Sequence, residues 1–337
     1  MSTPPSFGIL HDFRQPLPHT QGYAAFYADC LAEVKEAERL GYDAVWLSEH
    51  HVTADGFLPS PLAMAAAIAV GTHTIAIGTS ILVLPLHHPL RVAEDAVVAD
   101  LLSDGRFMLG LGQGYVGPEF AALGVDRRTR AARLAEGATI IRQLWDTGQT
   151  RFAGSEWELP EGTFSPRPER RIPILFGAVS DPAVERAVRV ADGLLVYCGK
   201  PADLLPRQSQ LTRALAVQGR ARDTFRFVAT GIVHVDEDPD RAWAHAAPGI
   251  AYLEGQLAAH GPNATSASDG LHRAEYLVGD PDDIAARFTR LHTDVPFDHF
   301  AFWARLPSLS HEQALTSLRL FAEEVVPRIH HARDATP

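Results

Sequence analysis

The chain of 337 residues carries 30 Lys+Arg against 41 Asp+Glu, a formal charge of −11 that disfavours nucleic acid and anionic membrane surfaces as partners. Its 46 % hydrophobic and 21 % charged residues exclude a disordered chain. Two cysteines, Cys30 and Cys198, exclude a disulfide framework and a Cys-based zinc site.

Strand-like and helix-like segments alternate throughout. Residues 7–11 form a short apolar run. Tyr27, Leu31, Val34, Ala37 and Leu40 then recur at helical spacing, with Cys30 on the same stripe as a small hydrophobe and Gly41 closing the helix. A strand is predicted over 42–47, an Ala-rich helix over 61–70 opened by Pro61, a strand over 75–84, a helix over 90–102 and a strand over 106–111. A helix over 128–145 leads into a polar stretch, 146–171, that reads as an insertion. Strands over 172–176 and 193–197 bracket a helix near 182–190, and a helix over 201–218 precedes a strand over 225–235. Residues 236–276 begin with a helix-compatible part that Pro248-Gly249 is expected to interrupt, and end in the loop signals of 261–270. A helix over 281–291, a strand over 299–303 and a helix over 312–326 complete the chain.

About eight strand–helix units with no linker between them predict a single (β/α)8 TIM barrel over 1–337, with insertions at 146–171 and 236–276. The rival is a doubly wound sheet with a second domain. Its one supporting feature, Gly110-Leu111-Gly112-Gln113-Gly114, lacks the third glycine of a dinucleotide loop and comes fourth in the chain. No apolar run reaches the ~18 residues of a membrane span and the N-terminus shows no export signal, so a cytoplasmic location is expected.

Active sites of such barrels form at the C-terminal ends of the strands. Those ends carry His11 and Asp12, Ser48 to His51, Ser80-Ile81, Gly112 to Tyr115, Gly177 to Ser180, and Cys198. His50, directly after Glu49, is the first candidate for proton transfer near neutral pH. His51 points to the opposite face if the strand continues, and no ligand spacing supports a metal, so none is expected. Gly177, Ala178, Val179 and Ser180, ahead of the helix start at Asp181-Pro182, can present backbone N–H groups to a phosphate.

The run Trp46 to His51, followed by Gly78 to Pro85 and His88-Pro89, resembles the bacterial luciferase-like flavin monooxygenases. Ala93-Glu94-Asp95, Asp100, Leu102-Ser103, Gly105-Arg106-Phe107 and Gly110 continue the resemblance in order. Val278 to Pro281, Leu320-Phe321 and Val326-Pro327 extend it almost to the end. The resemblance implies a barrel that takes reduced FMN from a separate flavin reductase and oxidises a small organic substrate with O2 through a flavin C4a-peroxide. It matches His50 to the family's catalytic histidine, with Glu49 beside it. Ser80 and Ile81 match a non-proline cis peptide under the flavin ring, and Gly177 to Ser180 match the phosphate loop. Gln113 stands where the light-producing luciferase subunit has a phosphate-binding arginine, and brings no charge. Tyr115 is expected near the flavin, and His11, His51 and Cys198 along the substrate pocket.

Two alternatives share this scaffold: hydride transfer with the deazaflavin F420, and a non-catalytic flavin-binding barrel, against which the retained Glu49-His50 argues. The resemblance also implies a homodimer built on the helices at 61–70 and 90–102. Residues 236–276 follow the seventh strand and are expected to form a mobile lid. Neither the substrate nor light emission is legible here.

Overall fold

The computed structural model describes residues 5–18, 21–260 and 270–334. In chain order its strands are β1 (Ser6–His11), β2 (Ala44–Leu47), β3 (Ala76–Thr79), β4 (Leu82–Val83), β5 (Phe107–Gly112), β6 (Phe152–Ala153) and β7 (Glu158–Leu159). These are followed by β8 (Ile174–Gly177), β9 (Gly193–Tyr197), β10 (Arg226–Gly231), β11 (Val233–Val235), β12 (Leu277–Gly279) and β13 (His299–Trp303). The helices are α1 (Tyr23–Arg39), α2 (Pro61–Gly71), α3 (Pro89–Leu102), α4 (Gly117–Ala122), α5 (Arg130–Thr147) and α6 (Asp181–Val190). The remainder are α7 (Leu204–Gln218), α8 (Pro239–His260), α9 (Pro281–Asp294), α10 (His311–Leu320) and α11 (Val326–Asp334).

The main sheet runs β3-β2-β1-β13-β10-β9-β8-β5, and a β3–β5 pairing closes it. With β4 continuing β3 after a break, this is the expected eight-staved (β/α)8 barrel. Its ladders, such as Ser6↔His299 to Leu10↔Trp303 and Leu109↔Ile174 to Leu111↔Phe176, are parallel. Barrel strands meet side chains inside and helices outside. Every residue of β2 and β5 is accordingly buried, which explains why both read as continuous apolar runs.

The chain divides into two compact units, Met1–Trp46 with Val196–Gln210 and Phe227–Pro337, and Leu47–Leu195 with Leu211–Arg226. In the second unit, the strand predicted over 75–84 is two strands. Between them lies the Ser80–Ile81 peptide, which is cis, as the resemblance implies. The 146–171 stretch contains the antiparallel pair β6–β7, fastened to α5 through Glu136, which accepts from the backbone N–H groups of Ser155, Glu156 and Trp157.

In the first unit, the predicted strand over 225–235 divides into β10, a barrel stave, and β11, which pairs in parallel with β12. The expected break at Pro248-Gly249 is corrected: α8 passes through Pro248 without interruption. A proline inside a helix costs about 3 kcal/mol. Ala242, Ala246, Ile250 and Leu253 lock α8 against Tyr276, Val278 and Leu306, and burying that face outweighs the loss. Gly249 allows the close approach, since a Cβ there would lie 2.7 Å from Ser308 Oγ. The rest of the expected lid, residues 261–269, lies outside the described residues. Among the described residues no helix is long and apolar enough to cross a membrane.

Candidate active site

His50 and His51 follow the end of β2, and the alternation expected of neighbouring side chains sends them to different carboxylates. His50 Nδ1 lies 2.7 Å from Glu119 Oε1, and its Nε2 lies 3.3 Å from the Tyr115 hydroxyl. The Phe57 ring meets the imidazole edge to face at 4.7 Å. Glu119 stands in the first turn of α4, a short helix opened by Gly117-Pro118 after the connection 113–116 that leaves β5. Its side chain is 1 % exposed. Oε1 also accepts from the backbone N–H of His51 at 2.9 Å, while Oε2 is buried with no hydrogen-bond partner among the described residues. A carboxylate on Nδ1 fixes the imidazole so that Nε2 carries the exchangeable proton or lone pair.

His51 Nε2 instead donates to Glu49 Oε1 at 2.9 Å, and His87 Nε2 donates to the same oxygen at 2.6 Å. Glu49 Oε2 accepts from the backbone N–H of Val83, two residues beyond the cis peptide. Burial would raise the Glu49 carboxyl, but hydrogen bonds from His51 and His87 outweigh it and hold the group down at about 2. The same bond to Glu49 raises His51. Glu49, expected beside His50 as a catalytic group, therefore has both oxygens engaged. It ties the end of β2 to the turn that follows the bulge formed by the Ser80–Ile81 cis peptide between β3 and β4.

The bulge itself is cleared by glycine. A Cβ on Gly112 would lie 2.4 Å from Ile81 Cδ1, and one on Gly177 would lie 2.9 Å from Ile81 Cγ2. The ends of β5 and β8 thus make room for one apolar side chain. Ser80 donates its N–H to the Leu47 carbonyl at 2.7 Å, joining the bulge to β2. Gln113 and Tyr115 follow β5 and are partly buried. Gly177 to Ser180 connect β8 to α6. The Ser180 carbonyl accepts from Ala183 and Val184, while its hydroxyl makes no capping bond.

His11 and Cys198 belong to the first unit. The Cys198 thiol donates to the Thr230 carbonyl at 3.2 Å, and burial pushes its pKa well up. His11 Nε2 lies 2.7 Å from Glu33 Oε2. Among the described residues, two groups of three side chains bring metal-ligand atoms within 4.8 Å of one another, Glu49 with His51 and His87, and His11 with Cys30 and Glu33. Sequence reasoning missed Glu119 and His87. For Glu119 the available signal was Pro118 opening a helix with an acidic residue in its first turn, shortly after a strand end.

The profile of the luciferase-like monooxygenase family matches residues 6–296. An F420-dependent glucose-6-phosphate dehydrogenase of Microbacterium testaceum is 30 % identical over 314 residues, 87 % of this chain and 90 % of that protein. Limonene 1,2-monooxygenase of Rhodococcus erythropolis is 27 % identical over 318 residues, covering 89 % and 81 %. The crystal structure of monooxygenase RslO1 from Streptomyces bottropensis superposes with a TM-score of 0.83 at 21 % identity, over 97 % of this chain and 99 % of that one. With the fold, the cis peptide and the ordered motifs in agreement, the chain belongs to the luciferase-like monooxygenase family of oxidoreductases.

Proposed function

We propose that this chain is a two-component flavin-dependent monooxygenase, which takes reduced FMN from a separate reductase and oxidises a small organic molecule with O2. The observation that carries the reading is the His50 imidazole, held between a buried carboxylate and a phenol. The residues fit a flavin in two ways. Glu119 Oε2 is a buried acceptor left over for an incoming donor, and Ile81, with glycines beside it, offers an apolar floor for a flat ring. Ser80 and Ile81 would lie under that ring, with Tyr115 flanking it. Gly177, Ala178, Val179 and Ser180 would take the phosphate, with Gln113 adding an uncharged hydrogen bond. When bound, reduced FMN supplies the electrons that O2 accepts.

His50 handles the proton. With Nδ1 donating to Glu119, Nε2 can take a proton from the reacting oxygen and return it. Glu49 is a positioning residue, keeping the β2 end and the bulge turn in register through Val83, His51 and His87. The Phe57 edge helps exclude water from the imidazole.

Hydride transfer with F420 is the second reading. It is favoured by the 30 % identical relative, and by the aptness of the same His50–Glu119 pair for removing a proton from an alcohol. Titration with reduced FMN and with F420, followed by mixing with O2 and an assay for hydrogen peroxide, separates the two. Reduced FMN is expected to bind, and His50→Ala to release more peroxide and less product. Tight F420 binding without FMN binding would overturn the first reading. The proposal includes a homodimer, because α2 and α3 leave Val70, Val98, Leu101 and Leu102 exposed. Sedimentation at micromolar concentration should give twice the chain mass.

A further inference from the structure

The first unit contains a cavity of about 210 Å³ between the connection after β1 and the connection after β13. Its lining includes His11, Arg14, Asp29, Arg305 and His311. One buried carboxylate, Glu33, serves three basic groups there. Its Oε2 meets His11 Nε2 at 2.7 Å, and its Oε1 meets Arg305 Nη2 at 2.7 Å and His311 Nδ1 at 2.8 Å. Asp12 is taken up by Arg14 at 2.8 Å and by Trp303 Nε1, while Asp29 accepts from Gln21. Four basic side chains therefore face three carboxylates, and the balance is positive when both imidazoles are charged.

Both imidazoles are held towards the charged form. Burial opposes the charge on His11, but Cys30 and Glu33 outweigh it and raise the group to about 10, and the bond to Glu33 raises His311. The Arg305 guanidinium is nine-tenths buried, and its Nε has no hydrogen-bond partner among the described residues. A buried donor of that kind costs about 1–3 kcal/mol unless something accepts from it. The donor trio of His11, Cys30 and Glu33 suits a metal poorly, because the Arg305 cation already sits on the carboxylate.

We infer that this cavity binds a compact oxyanion, a carboxylate or a phosphate carried by the substrate, with Arg305 and His311 as its principal contacts. His11 ends β1 and Arg305 lies two residues beyond β13, so both stand at strand C-terminal ends, where barrel enzymes gather substrate groups. The volume admits one such group and not a whole drug-sized molecule. Asp29 on the α1 side favours an anion small enough to remain at the guanidinium. Assignment of the anion to the substrate rests on the proposed oxidoreductase function; the anion site itself does not.

The test is calorimetric titration of the full chain, free of flavin, with inorganic phosphate and separately with succinate. One saturable site is expected, weakened by raising ionic strength to about 0.15 M. His311→Gln and Arg305→Lys, which keeps the charge on Glu33 and so the fold, should each raise Kd about tenfold or more. Whichever anion binds identifies the group. No saturable binding of either, or an unchanged Kd in both variants, overturns the site. Flavin binding plays no part in the titration, so the monooxygenase reading can fail while the anion site stands. A substrate bearing that group, turned over with raised KM and unchanged kcat in Arg305→Lys, would join the two.

Discussion

Glu33 in the first unit and Glu119 in the second are both buried carboxylates that meet an imidazole at 2.7 Å, yet they differ in what is left over. Glu33 has both oxygens engaged, by two imidazoles and a guanidinium, and it locks β1, α1 and the start of α10 together. Glu119 holds one imidazole and one backbone N–H, and keeps Oε2 in reserve. The difference teaches that burial of a carboxylate–histidine pair does not by itself mark chemistry. What marks it is an imidazole nitrogen not taken up by a carboxylate, and His50 Nε2, which meets the Tyr115 phenol at 3.3 Å, is of that kind among the described residues.

The largest effect expected from this contrast is on stability. Glu33→Gln leaves Arg305 and His11 buried without their counter-charge and should cost about 3–5 kcal/mol by denaturant unfolding. Glu119→Gln should cost less, about 1–3 kcal/mol, because His50 and His51 keep an acceptor and only the amide N–H2 that replaces Oε2 is left buried without one. Equal losses in the two variants would erase the distinction.

Next in size is a catalytic effect that runs the other way. His50→Ala should cut product formation by about 10² or more while leaving reduced FMN binding nearly intact. Glu119→Gln should lower kcat, since the imidazole loses the charge behind it. A His50→Ala enzyme of full activity would return this histidine to a packing role.

Acid sharpens the comparison further. Glu33 and Glu49 both sit at about 2 in the folded chain against an ordinary 4.5, each because bonds from histidine outweigh burial. The unfolded chain therefore binds more protons between those values, so the stabilisation is complete above about pH 4.5 and is lost as pH falls towards 2. Urea midpoints measured across that range should drop, and Glu49→Gln should make the drop shallower. An unaltered slope would contradict the assignment.

The smallest effect is set by an exposed pair. Arg128 grips Asp126 with two nitrogens, at 3.0 and 2.6 Å, but the arginine side chain is 90 % exposed. Solvent and salt screen such pairs. Arg128→Ala should leave Tm within measurement error, and a clear fall in Tm would show that ion pairing alone, without burial, explains the Glu33 result.

Much of the candidate site was legible in sequence. Counting strand–helix units and reading strand ends put His11, His50, Ser80-Ile81, Tyr115 and Gly177 to Ser180 at or just beyond strand C-terminal ends, which is where the structure has them. The pattern failed where a residue's surroundings come from elsewhere. Pro248 reads as a helix break because local rules omit the apolar face that α8 buries. Glu119 escapes a sequence reading because its helix is only six residues long. Glu33 escapes it too, since Arg305 and His311 arrive from the other end of the chain.

The sequence by itself determined the order of elements, the barrel they close into, and which side chains stand at the strand ends. Those properties rest on periodicity and on turn and cap residues within a few positions of each other. Only the tertiary structure decided which carboxylate each imidazole meets. His50 finds Glu119 across 69 residues, His87 finds Glu49 across 38, and His311 finds Glu33 across 278. Such pairings form only when packing removes water and leaves each buried polar group one partner within reach, a selection that no local pattern encodes.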